Sequence, residues 1–114
     1  MKTVRRARAM LMRGECVLIY PEGTRVRRDE DAQAHGGYAI MAQLAKAPVQ
    51  PVAIIGARHL RFRHRVYVRA GEPIEWSDLA AEKRKEQLAE MERVGMERVY
   101  ALRDELRRDY PGVD

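Results

Sequence analysis

The chain has 114 residues and a formal net charge of +5, so it holds at most one domain of modest size, and its charge favours anionic partners. Hydrophobic residues make up 46% and charged residues 34%, which is typical of a globular protein and excludes the disordered class. The single cysteine, Cys16, excludes an internal disulfide framework and a cysteine zinc site. No apolar run approaches the roughly 20 residues needed to span a bilayer.

Residues 2–13 interleave basic and apolar side chains, a pattern that predicts an amphipathic helix. Gly14 stands directly after the last periodic residue, where glycine is a helix stop signal. A basic helix of this kind can bind anionic lipid. It can also be a flanking helix with its apolar stripe on a sheet and its arginines in solvent, which is the interpretation we favour.

The next stretch predicts a buried strand that runs into a charged turn. Cys16–Ile19 has the length and apolar content of a buried strand, so we expect the Cys16 thiol to be buried and inert. In Tyr20–Arg25, the proline ends the hydrogen bonding of the strand and the glycine allows a sharp turn. Arg25 can grip a phosphate with two donors while Glu22 holds the loop in one shape. The same residues also fit a solvated turn with an exposed ion pair.

A helix and a second apolar strand follow a charged loop at 26–36. Tyr38–Lys46 has apolar side chains at helical spacing, and Val49–Ile55 has the composition of a strand. A helix between two such strands predicts a βαβ unit with parallel pairing. Because ligands bind at the carboxyl ends of strands in such sheets, Glu22 and Arg25 would emerge at a ligand-binding edge.

The remaining chain predicts a basic connection, one more strand and a long helix. Ala57–Arg65 is rich in arginine and histidine, and it fits a phosphate-contacting segment or a charged hairpin-like connection equally well. Val66–Ala70 alternates as a half-buried strand does. From Leu79 to Arg108 apolar residues recur at steps of three and four, with Ser77 as the expected cap and Gly95 as a point where the helix can kink or divide.

Three segments together resemble the glycerolipid acyltransferases, the family of 1-acylglycerol-3-phosphate acyltransferases. Tyr20–Arg25 resembles the Phe-Pro-Glu-Gly-Thr-Arg signature of that family, with tyrosine in place of phenylalanine. Gly37–Ile54 is similar to the segment in which a glycine opens a helix that leads to a proline-rich strand, and Val66–Ile74 resembles the strand and Gly-Glu-Pro-Ile turn that usually follow. The resemblance covers roughly Met1 to Trp76.

The resemblance implies a fold and a set of site residues. It implies an α/β fold, with a partial mixed, mostly parallel sheet and flanking helices in residues 1–76, the carboxyl-terminal part of an acyltransferase domain. Residues 77–114 would be a C-terminal helical extension. The residues implied for the acceptor phosphate are Glu22, Gly23, Thr24 and Arg25. Those implied for the acyl donor or for structure are Gly37, Pro48 and Pro51.

The activity implied is transfer of an acyl group from acyl-CoA or acyl-carrier protein to the free hydroxyl of a lysophospholipid such as 1-acylglycerol-3-phosphate, in phospholipid biosynthesis. The acyl donor is a co-substrate, and neither a cofactor nor a metal is expected. No secretory signal is visible after Met1, so we expect a peripheral protein on the cytoplasmic face of the membrane. Nucleic acid is not an expected partner.

The chain departs from the family pattern in its catalytic base. The family uses a His-x-x-x-x-Asp motif, but the residues five positions after the three histidines of this chain are Ile40, His64 and Arg69. No catalytic residue is therefore assigned here, and we expect the isolated fragment to be inactive. Gly36 also stands where the family usually has a cation. The alternative is a non-catalytic basic module that binds lipid phosphate or nucleic acid, although no nucleic-acid-binding motif is recognisable.

Overall fold

The computed structural model describes residues 2–22, 37–58 and 62–114. Within these residues it has a mixed α/β architecture with three helices and a small two-stranded sheet. In chain order the elements are α1 (Lys2–Met12), α2 (Gly37–Ala45), β1 (Val52–Ile55), β2 (Tyr67–Ala70), a 3-10 turn (Trp76–Asp78) and α3 (Arg84–Asp109).

A helix at the start of the chain is confirmed, but its main neighbour is α2 and not the sheet on which its apolar stripe was expected. α1 ends at Met12, and Gly14 follows with φ of +83°, a left-handed conformation that glycine adopts without strain. Ala7 is buried, and the guanidinium of Arg8 donates to the Leu44 carbonyl oxygen of α2 at 3.4 Å. α1 therefore packs as a flanking helix beside α2.

The sheet is an antiparallel pair. Val52 of β1 lies opposite Ala70 of β2, and Ile55 lies opposite Tyr67. β1 and β2 are thus antiparallel neighbours, as expected if the basic segment between them is a hairpin-like connection. Val49 and Ile74 extend the pairing by an isolated bridge with N–O distances of 3.0 and 2.6 Å, so the strand expected from Val49 becomes continuous only at Val52. In the described ranges the sheet contains no parallel pair.

The predicted buried strand Cys16–Ile19 is wrong for the described structure. These residues form no regular secondary structure, Leu18 is 74% exposed, and the Cys16 thiol, expected to be buried, is exposed. The physical reason is that an apolar run becomes a strand only when neighbouring backbone takes up its hydrogen bonds. β1 is already paired with β2, and none of the described strands lies beside Cys16–Ile19.

α3 is one continuous helix that contributes to both hydrophobic clusters of the core. Met91 and Met96 pack with Tyr38, Ala39 and Ile74 in one cluster. A second cluster joins three residues of α3 and β1, namely Leu106, Ala53 and Ile55. A single helix of 26 residues thus covers both α2 and the sheet.

Two expectations for the start and middle of α3 are wrong. Ser77 does not cap it, because Trp76–Asp78 forms its own 3-10 turn, in which Glu75 and Asp78 make a reciprocal capping box. Gly95 does not divide the helix. Packing explains why a glycine stands at this position, since an added Cβ would lie 2.8 Å from the Tyr38 hydroxyl oxygen.

Candidate functional site

A groove of about 740 Å³ is bounded by elements from the whole chain. Its walls come from α2, α3, the 47–54 segment that leads into β1, and the irregular segment 17–22. Its lining is mainly apolar and includes Leu11, Val17, Leu18, Ile19, Met41, Ala42, Val49, Val52, Ile54, Met96 and Val99. Among the described lining residues the charged ones are Glu22, Arg58, Arg103 and Asp114. The groove is therefore mainly apolar and carries charged side chains at a few points of its lining.

Glu22 of the motif turn is tied to the C-terminal helix. The Tyr100 hydroxyl donates to Glu22 Oε1 at 3.4 Å, and the Arg103 guanidinium lies 4.6 Å from the centroid of the Tyr100 ring. A cation over an aromatic face is favoured by about 0.5–1 kcal/mol where water is near. α3 therefore brings the Tyr100 hydroxyl to Glu22, which the motif resemblance implies for the acceptor phosphate, and places the Arg103 cation on the ring of that tyrosine.

The other predicted site residues are only partly brought to this groove. Gly23, Thr24 and Arg25 lie outside the described residues. Gly37 opens α2, as the sequence predicts, and an added Cβ there would meet none of the described atoms within 4 Å. Close packing against the described residues is therefore not the reason for a glycine at this position.

The two prolines line the groove in different ways. Pro48 is exposed, whereas Pro51 is buried. The Pro51 carbonyl oxygen accepts from Gly71 N at 2.8 Å, and the Ala47 carbonyl oxygen accepts from Trp76 Nε1 at 2.7 Å. Both bonds tie this wall of the groove to residues 71–76, which follow β2.

Tyr38 forms another part of the wall. Its hydroxyl donates to the Glu92 carbonyl oxygen at 2.6 Å and lies 3.3 Å from that of Met91. Burial, and secondarily the negative charge of Glu92, raises the pKa of Tyr38 to about 12. The phenol is therefore neutral at physiological pH and acts as a hydrogen-bond donor that joins α2 to α3.

A charged cluster at the groove is built from the last residues of the chain. Gly112, at φ of +83°, follows α3, and Val113 packs on the cluster around Leu106. The Asp114 carboxylate then accepts from Gly56 N at 3.2 Å and from Arg107 at 2.6 and 3.1 Å.

Arg58 approaches the same carboxylate, with Nε at 3.8 Å from Asp114 Oδ2. Burial acts to raise the pKa of Asp114, but the hydrogen bonds from Arg107 and Gly56 and the charges of Arg58 and Arg107 outweigh it, so the pKa is lowered from its usual range. The carboxylate is held in its charged form by hydrogen bonds from Gly56 and Arg107 and by the nearby charge of Arg58.

Sequence reasoning missed Tyr38, Tyr100, Arg103, Arg107 and Asp114 as groove or cluster residues. A signal for part of this set was present, because Met96, Val99, Tyr100 and Arg103 follow the i, i+3, i+4, i+7 spacing of one helix face. No local pattern indicates the docking of Asp114, which depends on contacts across 58 positions of the sequence.

Neither a metal centre nor a membrane-spanning helix is found in the part of the chain that the structure describes. Its acidic, histidine and cysteine side chains make no cluster of three that could hold an ion. The described helices lack the combination of length and apolar character that crossing a bilayer demands.

The comparisons with known proteins agree with the motif resemblance. Residues 1–55 match the family model described as Acyltransferase. The chain is also similar to the 1-acyl-sn-glycerol-3-phosphate acyltransferase of Bacillus subtilis (strain 168), with 34% identity over 100 residues, which are 85% of this chain and 49% of that relative. It thus spans about half the length of this curated relative. No solved structure matches it significantly. The chain belongs to the glycerolipid acyltransferase family.

Proposed function

We propose that this chain forms the lysophospholipid-binding part of an acyltransferase. The reaction is transfer of an acyl group from acyl-CoA or acyl-carrier protein to the free hydroxyl of a lysophospholipid such as 1-acylglycerol-3-phosphate. The observation that carries the proposal is the groove of about 740 Å³, whose apolar lining is interrupted by the charged residues Glu22, Arg58, Arg103 and Asp114. A lysophospholipid has the same division, with one apolar chain and one anionic headgroup.

The apolar lining supports binding of the acyl chain. Each methylene that leaves water for such a surface contributes about 0.8 kcal/mol, so a long acyl chain supplies more binding energy than any one polar contact. Leu18 and Ile54 expose apolar surface beside this lining, at 74% and 41% exposure. The groove thus favours a long-chain substrate over a small polar one.

In this proposal the turn of the motif holds the headgroup. Arg25 binds the acceptor phosphate with two donors, and Gly23 and Thr24 shape the turn around it. Glu22 maintains that shape, and its contact with Tyr100 supports this role. Gly37, Pro48 and Pro51 belong to the acyl-donor side or to the walls, with Pro48 and Pro51 both lining the groove.

The base that removes the hydroxyl proton is proposed to lie in a segment outside these 114 residues, carrying His-x-x-x-x-Asp. Cys16–Ile19 would then pair with strands of that segment in a mostly parallel sheet. The exposed Leu18 and the irregular backbone at 15–20 support this, because both are what an apolar strand shows without its neighbours. The isolated chain is accordingly inactive.

The acceptor is a membrane lipid, so we place the protein on the cytoplasmic face of the membrane as a peripheral protein. The basic face of α1 supports this placement, since Lys2, Arg5 and Arg6 are all exposed. Cations on one face of a helix are attracted to anionic lipid by about 1 kcal/mol each when they are close to the surface.

The test compares two arginine variants of the chain joined to the part of the Bacillus subtilis relative that it does not match. Thiol release from acyl-CoA is followed as lysophosphatidate is varied. Arg25→Ala should lower kcat/KM for lysophosphatidate by about 10- to 100-fold, because a charged hydrogen bond to phosphate is lost. Arg98→Ala is the control, since Arg98 is exposed on α3 and does not line the groove. Equal effects of the two variants would overturn the role of Arg25.

A further inference from the structure

The cluster around Asp114 has the composition of an anion site. Two donors and a further cation converge on one carboxylate: the Gly56 N–H donates at 3.2 Å, the Arg107 guanidinium donates at 2.6 and 3.1 Å, and the Arg58 Nε makes an ion pair at 3.8 Å. A backbone N–H with two guanidinium groups is a combination that binds phosphate as well as carboxylate. The side chain of Asp114 is 8% exposed, so the anion is largely withdrawn from water.

The position of the cluster connects it to the groove. Arg58 and Asp114 both line it, whereas Arg107 approaches the carboxylate from α3. Arg58 lies in the basic segment after β1, which the sequence marks as able to contact phosphates and which the proposed acceptor turn does not use. An anion bound here would sit beside the apolar lining.

The Asp114 carboxylate is held in place by the short segment that follows α3. Val113 packs on Leu106, and Nε2 of His64 lies 3.0 Å from the Val113 carbonyl oxygen, which can only accept, so this nitrogen carries the proton. Gly56 has φ of +92°, and an added Cβ would collide with the Arg65 carbonyl oxygen. The Gly56 N–H is thereby fixed in its direction towards the carboxylate.

We propose that Gly56 N–H, Arg58 and Arg107 form a phosphate-binding site that Asp114 occupies as an internal competitor. The ligand is a phosphate monoester, and it enters when the Asp114 carboxylate leaves. Because the competing carboxylate is part of the same chain, its effective concentration at the site is high. Phosphate binds only those molecules in which this carboxylate has left the site, so the apparent affinity for phosphate is the intrinsic affinity multiplied by that fraction of molecules. This site is additional to the turn at Glu22–Arg25, and its test does not require acyl transfer.

The experiment titrates nitrogen-15-labelled protein with inorganic phosphate and follows the amide signal of Gly56. Asp114→Asn removes the competing charge and keeps the size of the side chain. We expect Asp114→Asn to bind phosphate at least about tenfold more tightly than the wild type, with the Gly56 amide among the shifted signals. Phosphate affinity that is unchanged by Asp114→Asn, or a Gly56 signal that does not move, would show that Asp114 is a structural tie only and would overturn the proposal.

A second pair of variants tests the cations in the Asp114→Asn background. Arg107→Gln should abolish the gain in affinity, whereas Arg108→Gln, at an exposed neighbouring position on α3, should keep it. Equal losses in both would refute a specific site. If Arg107→Gln does not fold, the comparison of Asp114→Asn with the wild type still decides the question.

The source of the phosphate is distinguished with two further probes. Glycerol 3-phosphate represents the headgroup of the acceptor, and adenosine 3′,5′-bisphosphate represents the nucleotide of an acyl-CoA donor. Tighter binding of one than of the other assigns the site to that source, and binding of neither by Asp114→Asn overturns the proposal. Because no turnover is measured, a failure here leaves the proposed acyl transfer to be judged by its own assay.

Discussion

Gly95→Ala should destabilise the protein although alanine is the better helix former. In an unhindered helix interior this substitution stabilises by about 1 kcal/mol. Here the new Cβ would lie 2.8 Å from the Tyr38 hydroxyl oxygen and 3.3 and 3.4 Å from two ring carbons. The ring cannot withdraw freely, because its hydroxyl donates to Glu92 on the same helix at 2.6 Å.

The magnitude follows from these opposing effects. Forcing a methyl group into a packed site costs about 1–3 kcal/mol, and moving Tyr38 gives up a hydrogen bond that contributes about 1 kcal/mol. After the gain in helix propensity, we expect Gly95→Ala to lower the free energy of unfolding by about 1–3 kcal/mol. In a Tyr38→Phe background the closest atom is absent, so the same change should be neutral or stabilising by up to about 1 kcal/mol.

The assay is urea unfolding of the wild type, the two single variants and the double variant. The double variant should be more stable than the sum of the single effects predicts, by at least about 1 kcal/mol. Ala101→Gly, at an exposed position of α3, measures the propensity in the same helix and should cost about 1 kcal/mol. Stabilisation of the wild type by Gly95→Ala, or strict additivity in the cycle, would refute the steric explanation of Gly95.

Two other predictions concern titration and backbone conformation. The pKa of Tyr38 is raised to about 12, so the stability that depends on its protonated form is complete below about pH 10 and is lost as pH rises towards 12. When unfolding is followed spectroscopically as pH is raised, the loss of stability at alkaline pH should be smaller in Tyr38→Phe than in the wild type. An identical profile in the two proteins would contradict the raised pKa. Gly56→Ala and Gly14→Ala both place a side chain at positive φ, but only at Gly56 would the new Cβ collide with backbone. In thermal unfolding we therefore expect Gly14→Ala to cost about 1–2 kcal/mol and Gly56→Ala clearly more, and equal costs would contradict the close approach at Gly56.

The helices could be predicted from the sequence because their signals are local. α1 with its stop at Gly14, the body of α2 and the long α3 follow from periodicity and stop signals, whereas the opening of α2 at Gly37 follows from the family resemblance. The mixed α/β class and the turn after β2 were also accessible. The motif segment Tyr20–Arg25 indicated the family before any geometry was known.

The sheet could not be predicted in the same way, because pairing depends on residues far apart in the chain. Cys16–Ile19 has the composition of a strand, yet no described strand lies beside it. The sequence marked Gly95 as a point where α3 can kink or divide, whereas in the structure the Tyr38 ring packs against this glycine. The Asp114 cluster likewise depends on Gly56, which lies 58 positions earlier, and such contacts leave no periodic pattern.

The most direct test of the account is thiol release from acyl-CoA in the presence of lysophosphatidate, measured for the isolated chain and for the chain joined to the unmatched part of its relative. The account predicts no turnover above a protein-free control for the isolated chain, and turnover dependent on lysophosphatidate for the joined protein. Turnover by the isolated chain would contradict the claim that the base lies outside these 114 residues. A folded joined protein that binds lysophosphatidate but never releases thiol would contradict the proposed acyl transfer.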